Sequence, residues 1–128
     1  MKINEIAEKY NLGKDDFWQH ALSGNWIITH DACEKIAHKE NIKFKLPTVF
    51  RDDNKNIAML GSAEMNDVQV WTTGEVSISN CKNPYPFAMA EKRLKDRLTL
   101  KLINAYEYGI FSDSEADSFK NKLEIIEQ

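Results

Sequence analysis

Two runs of β-forming residues, separated by only Asn66-Asp67, constrain this chain most. Residues 57–65 and 68–79 are rich in apolar and β-branched side chains. Asn and Asp tolerate the positive φ that a two-residue hairpin turn demands, so the pair is predicted to be two antiparallel strands. In the second run Val68, Val70 and Thr72 share one face, and Gln69, Trp71 and Thr73 the other. At Gly74 a bulge or a close approach of backbone is expected. Upstream, Ile42, Phe44 and Leu46 alternate within a strand over 42–51 that contains Pro47, and a proline confines such a strand to an edge or a bulge. Asp52 to Asn56 make a polar turn, so three strands follow one another in a small antiparallel sheet.

Both flanks have the helical period instead. Ile3, Ile6, Ala7 and Tyr10 predict a first helix ending at Gly13. Phe17, Trp18, Ala21 and Leu22 predict a second, closed by Ser23-Gly24-Asn25, with Trp26-Ile27-Ile28 as a short apolar link. Asp31 with Glu34 has capping-box spacing and opens a third helix that buries Ala32, Ile36 and Ala37 and ends near Asn41. Beyond the strands, Pro86 suits the first turn of a helix over 87–108, roughly 33 Å long at 1.5 Å per residue, with Gly109 as its C-terminal cap. Ser112 and Glu115 form another capping box, opening a final helix to about Ile126. The reading is an α+β single domain over 1–128: a helical N-terminal part (1–41), a β-β-β-α core (42–108) and a C-terminal helix (109–128).

The long helix carries the most information. Phe87, Leu94, Leu98, Leu102 and Ala105 fall within a sector of about 80° at 100° per residue, a stripe that must pack on the sheet or another helix. Arg93, Arg97 and Lys101, at i, i+4 and i+8, form a cationic line beside it. Glu91 can pair with Lys95, and Asp96 with Lys92. Residues 82–101 hold six basic side chains (Lys82, Lys92, Arg93, Lys95, Arg97, Lys101) against two acidic ones, a balance of +4 in a chain whose net charge is −3. Such segregation suits a surface that follows phosphates, since each phosphate neutralised releases counterions. Tyr85, Phe87 and Trp71 lie close by in sequence, and single-strand grooves combine cations with stacking surfaces. Trp71 and Phe87 are expected in the core, and Tyr85, between two prolines, in the open.

The residues from Asn83-Pro84-Tyr85-Pro86-Phe87 through Ala88-Met89-Ala90-Glu91-Lys92-Arg93-Leu94-Lys95-Asp96-Arg97, followed by Ser112-Asp113-Ser114-Glu115-Ala116-Asp117, resemble small proteins of phages and marine viruses. More distantly, three strands followed by such a helix resemble the core of the single-strand DNA annealing superfamily, which includes phage recombinases and the eukaryotic recombination mediator. The resemblance covers about residues 42–108. It implies a β-β-β-α groove in which basic residues of hairpin and helix hold a DNA backbone. The hairpin over 57–79 departs from that pattern, because it contains no lysine or arginine.

Other chemistry is weaker. His30, Glu34 and His38 recur every four residues, but their eight-residue span of about 12 Å is too long for one ion to bind both histidines. Cys33, with His30 or His38, is a candidate nucleophile pair near a helix start. The glycines are scattered and make no phosphate loop. No enzyme activity, cofactor or metal is expected. The apolar stretches are too short to span a membrane, and two cysteines make no disulfide framework, so a reducing, cytoplasmic setting is expected. The expected function is non-catalytic binding or annealing of single-stranded nucleic acid. Lys82, Lys92, Arg93, Lys95, Arg97 and Lys101 would serve phosphates, and Tyr85 or Trp71 would offer stacking. The alternative is an interaction protein, a homo-oligomer or accessory subunit, docking through Phe17, Trp18 and Trp26 or pairing the basic helix with a neighbour's acidic tail.

Overall fold

The computed structural model describes residues 2–53, 56–77 and 85–115. The fold is α+β, with a four-stranded and a three-stranded sheet on either side of one central helix.

The hairpin forms as expected. β5 (Asn56–Met65) and β6 (Val68–Ser77) pair antiparallel, in register from Asn56 against Ser77 to Met65 against Val68. Both turn residues have positive φ, 48° at Asn66 and 68° at Asp67, as a type I′ turn requires. The strand expected over 42–51 is two strands parted around Pro47, β3 (Lys43–Phe44) and β4 (Thr48–Asp52). Both pair with β5 along the edge opposite β6, and the register of β4 shifts between Val49 and Arg51. The sheet therefore has four strands rather than three, because the proline-containing segment bends and re-engages the same partner.

The central helix, α3 (Pro86–Leu102), crosses the inner face of this sheet with Pro86 in its first turn. Leu94, Leu98 and Leu102 meet Ile57, Met59, Ala63 and Val76 in one core. The approach is close at Gly74, where an added Cβ would sit 2.4 Å from the Ala90 carbonyl oxygen, so the glycine serves contact and not a bulge. The helix is shorter than expected. Asn104 turns left-handed (φ 61°), a 3-10 turn follows over Ala105–Tyr108, and Phe87 is 46% exposed rather than in the apolar stripe.

A second core lies behind the helix. It joins Leu100, Ile103, Ala105 and Ile110 to Ile6, Tyr10, Ile28, Ala32, Cys33 and Ile36. Each fully buried aliphatic side chain here contributes about 1.5–3 kcal/mol. The first helix, α1, spans Ile3–Lys9. The helix expected around Phe17–Leu22 is instead β1 (Phe17–Gln19), paired antiparallel with β2 (Trp26–Ile28). Its closing loop uses Gly24 at φ 73° and hydrogen bonds His20 N to Asn25 O (2.8 Å) and Gly24 N to His20 O (2.9 Å). β2 also pairs in parallel with β7 (Ile110–Ser112), whose partnership lies more than 80 residues away in sequence. The helix after it, α2 (His30–Lys39), is capped by Thr29 Oγ1, which accepts from Ala32 N at 3.0 Å, and not by Asp31. Ser112 is a buried strand residue and not a helix cap; after it the chain makes a 3-10 turn over Asp113–Glu115. The rest of the expected last helix lies outside the described residues.

Candidate nucleic-acid interface

Arg93, Arg97 and Lys101 advance along α3 by one turn each, about 6 Å. Alternate residues of a strand advance by about 6.7 Å. The two repeats nearly match, and the three cations meet alternate carbonyls of β6. Arg93 Nη1 donates to Glu75 O (3.0 Å), Arg97 Nη1 to Thr73 O (2.7 Å) and Lys101 Nζ to Trp71 O (2.9 Å). β5 lies on the other side of β6, so these are the outward carbonyls of a sheet edge. The cationic line thus satisfies groups that an edge strand otherwise presents to other chains.

The three cations differ in exposure. Arg93 is 3% exposed and also donates Nε to Ser114 O at 2.8 Å, which places it in the interior rather than on a surface. Arg97 is partly buried and pairs with Glu75 Oε2 at 2.9 Å. Burial pushes the Glu75 carboxyl up, but the hydrogen bond and charge of Arg97 outweigh it and hold the group below the usual carboxylate range. Lys101 is exposed, and its ammonium stands 5.6 Å from the centroid of the Trp71 ring. Lys95 pairs with Glu91 (2.9 Å), as the spacing predicts, and also lies over the Phe44 ring. Lys92 is half-buried and Tyr85 is exposed. Asp96 does not pair with Lys92; it is buried and bonded elsewhere. Lys82 lies outside the described residues.

Trp71 is 66% exposed and not in the core. It belongs to the face of the sheet turned away from α3, opposite Ser62 in register. There it lines a groove of about 350 Å³ with Leu46, Thr48, Leu60, Gly61 and Ser62. The groove crosses from β6 over β5 to β4, and Lys45, whose backbone N–H donates to Ser62 O (3.0 Å), is exposed beside Leu46. Exposed aromatic surface and positive charge therefore meet on the outer face, at one end of the basic line rather than along it. A signal for this was present: Trp71 shares its strand face with Gln69, Thr73 and Glu75, a polar set that does not suit a core.

The other flank of α3 carries a polar junction that sequence reasoning did not find. His30 Nδ1 donates to Asp96 Oδ1 (2.7 Å), and Ser112 Oγ donates to Asp96 Oδ2 (2.6 Å). Asp113 Oδ1 accepts the His30 backbone N–H (3.0 Å), and His30 Nε2 faces Glu34 (3.0 Å). The hydrogen bond to Asp96 raises the His30 pKa; burial opposes this, and the charges of Asp96 and Glu34 add to it. His30, Glu34 and His38 line a pocket of about 270 Å³ between α2 and α3. Among the described residues no group of three or more His, Cys, Asp and Glu side chains is placed to hold a metal. Cys33 is 1% exposed, and burial pushes its thiol well above the ordinary value, so it lacks the thiolate character a nucleophile needs. Phe17 and Trp26, expected to dock a partner, pack edge to face at 5.7 Å against the second core. No helix of the described residues is long and apolar enough to cross a membrane. Comparison with family models, with curated proteins and with solved structures finds no match for this chain.

Proposed function

We propose that this chain is a non-catalytic, single-stranded nucleic-acid-binding protein of phage-type DNA metabolism, and that it binds on the outer face of its four-stranded sheet. The observation that carries this reading is the pairing of an exposed Trp71 ring with the Lys101 ammonium 5.6 Å from its centroid. Single strands are held by that combination, aromatic faces for bases and cations for the backbone. One N–H of Lys101 goes to Trp71 O, and an ammonium has three to offer. Lys43 and Lys45 are exposed along the β3 side of the same sheet and extend the positive rim. Arg93 and Arg97 support this surface by fixing the β6 edge. Lys92 and Lys95 belong to the flank of α3 that faces α2, and Tyr85 stands at the N-terminus of that helix, so this surface does not draw on them.

Fluorescence anisotropy of a labelled oligo-dT at two salt concentrations tests the reading. Micromolar binding at low salt is expected. Lys101→Glu weakens it and lowers the salt slope by about 0.7 or more, the contribution of a lost single-strand phosphate contact. Absence of binding at micromolar protein and low salt would refute the proposal.

A second reading rests on a different observation. Leu46 is 95% exposed and Phe50 60% exposed, which suits a protein partner or a second copy of the chain. Light scattering at high concentration separates the two: a monomer that binds oligo-dT supports the first, and an oligomer that ignores it supports the second.

A further inference from the structure

Resting on the reading above, we propose that the outer-face groove is a pocket for one unstacked base of a single strand. The ligand class is an unpaired nucleobase, held between Trp71 and Leu46. The groove spans two inter-strand spacings, about 9–10 Å from β6 to β4. Its walls are unlike. On the β6 side stands an aromatic ring, 66% exposed and facing no core partner; on the far side stands Leu46, 95% exposed. Leu60 forms an apolar floor, and Thr48 and Ser62 bring hydroxyl groups to its margin. A flat heterocycle with a polar edge matches that arrangement. Ring surface lies against Trp71 and Leu60, and ring nitrogens and carbonyls meet hydroxyls that both donate and accept. Hydroxyls with both capacities do not distinguish one base from another, so the pocket is tolerant of sequence.

Charge at the two rims favours this occupant over an apolar peptide. Lys101 stands at the Trp71 rim, and Lys45 precedes Leu46 at the other. A nucleotide inserted between them has a phosphate on each side, and each cation has one to meet. A base inside a duplex is stacked on both faces and must be unpaired before it can enter, so the pocket selects single strands.

The test compares three probes of equal length: oligo-dT, an abasic oligomer with the same phosphates, and the dT·dA duplex. Oligo-dT is expected to bind about tenfold or more tighter than the abasic oligomer and than the duplex. Trp71→Ala brings oligo-dT to the abasic level without changing the salt slope, whereas Trp71→Phe keeps most of the difference. Leu46→Ser, at a position open to solvent, acts like Trp71→Ala with unchanged circular dichroism. If the abasic oligomer binds as tightly as oligo-dT, the base pocket is overturned and the nucleic-acid reading stands. If no probe binds, both fail. Self-association that depends on Trp71, without probe binding, overturns the pocket in favour of a protein interface.

Discussion

The two flanks of α3 treat charge in opposite ways. Toward β6, three cations reach outward carbonyls of a strand edge, and their exposure rises from the interior Arg93 to the open Lys101. Toward α2 and β7, a single acid, Asp96, is enclosed and bonded to His30 and Ser112. Ser112 Oγ in turn meets Ser114 Oγ (2.9 Å) and accepts Ser114 N–H (3.1 Å), and Ser114 O receives Arg93 Nε. The flanks are therefore joined through Ser114. A line of like charges on a helix can be consumed by backbone when its spacing matches a strand repeat, so the pattern alone does not mark an open surface. Of the two acids on the same helix, Glu91 pairs with Lys95 at the surface while Asp96 is buried and doubly bonded.

Asp96→Ala should have the largest effect. It strips His30 and Ser112 of their shared acceptor in a buried site and should cost about 3–5 kcal/mol in urea unfolding. A loss below about 1 kcal/mol would mean that the junction is not structural. Arg93→Met keeps the bulk and removes the donors to Ser114 O and Glu75 O, for about 2–3 kcal/mol, as expected when buried acceptors lose their partners. If it behaves like an ordinary surface change, the contrast drawn for the β6 flank is wrong.

The pH response sharpens the comparison further. His30 is raised above its unfolded value of about 6.5. Its protonated form is the stabilising one, so its contribution is complete below about pH 6.5 and fades as pH rises through the higher folded value. The thermal-stability advantage of wild type over His30→Gln should shrink as the pH is raised, with Asp96, Glu34 and Asp113 facing the ring or its backbone and Lys92 opposing them. An advantage that grows with pH would contradict the assignment. Lys101→Met should change stability least, by less than about 0.5 kcal/mol, while weakening oligo-dT binding. A large stability loss there would make Lys101 structural like Arg93.

Helix endings show how much was legible. The three α-helices of the described residues are each followed by an asparagine at positive φ: Asn11 (55°), Asn41 (52°) and Asn104 (61°). After α1, Leu12 N bonds Ala7 O (2.8 Å); after α2, Ile42 N bonds Ala37 O (2.9 Å), the closing bond of a Schellman motif. The end of α2 falls near Asn41, as the sequence predicts. The other two helices end before the expected Gly13 and Gly109, because Asn11 and Asn104 take the left-handed position first. Pro86, the Asn66-Asp67 turn, the Glu91–Lys95 pair and the leucine stripe were legible because each depends on neighbours within one or two turns. For the candidate site, Lys101 and Trp71 were both named from sequence, but not as a pair. Leu46, Thr48, Leu60 and Ser62 join them only through strand register.

By itself the amino-acid sequence determined the α+β class, the β5–β6 hairpin and the presence of an amphipathic basic helix, since period, turn chemistry and charge spacing are local. Tertiary structure decided that residues 17–19 form a strand, because the long-range parallel pairing of β2 with β7 builds the sheet that receives it. It also decided which cations are spent on the protein and which stand open. A side chain's charge is written in its residue type, but its availability depends on which carbonyl or carboxyl the fold brings within about 3 Å of it.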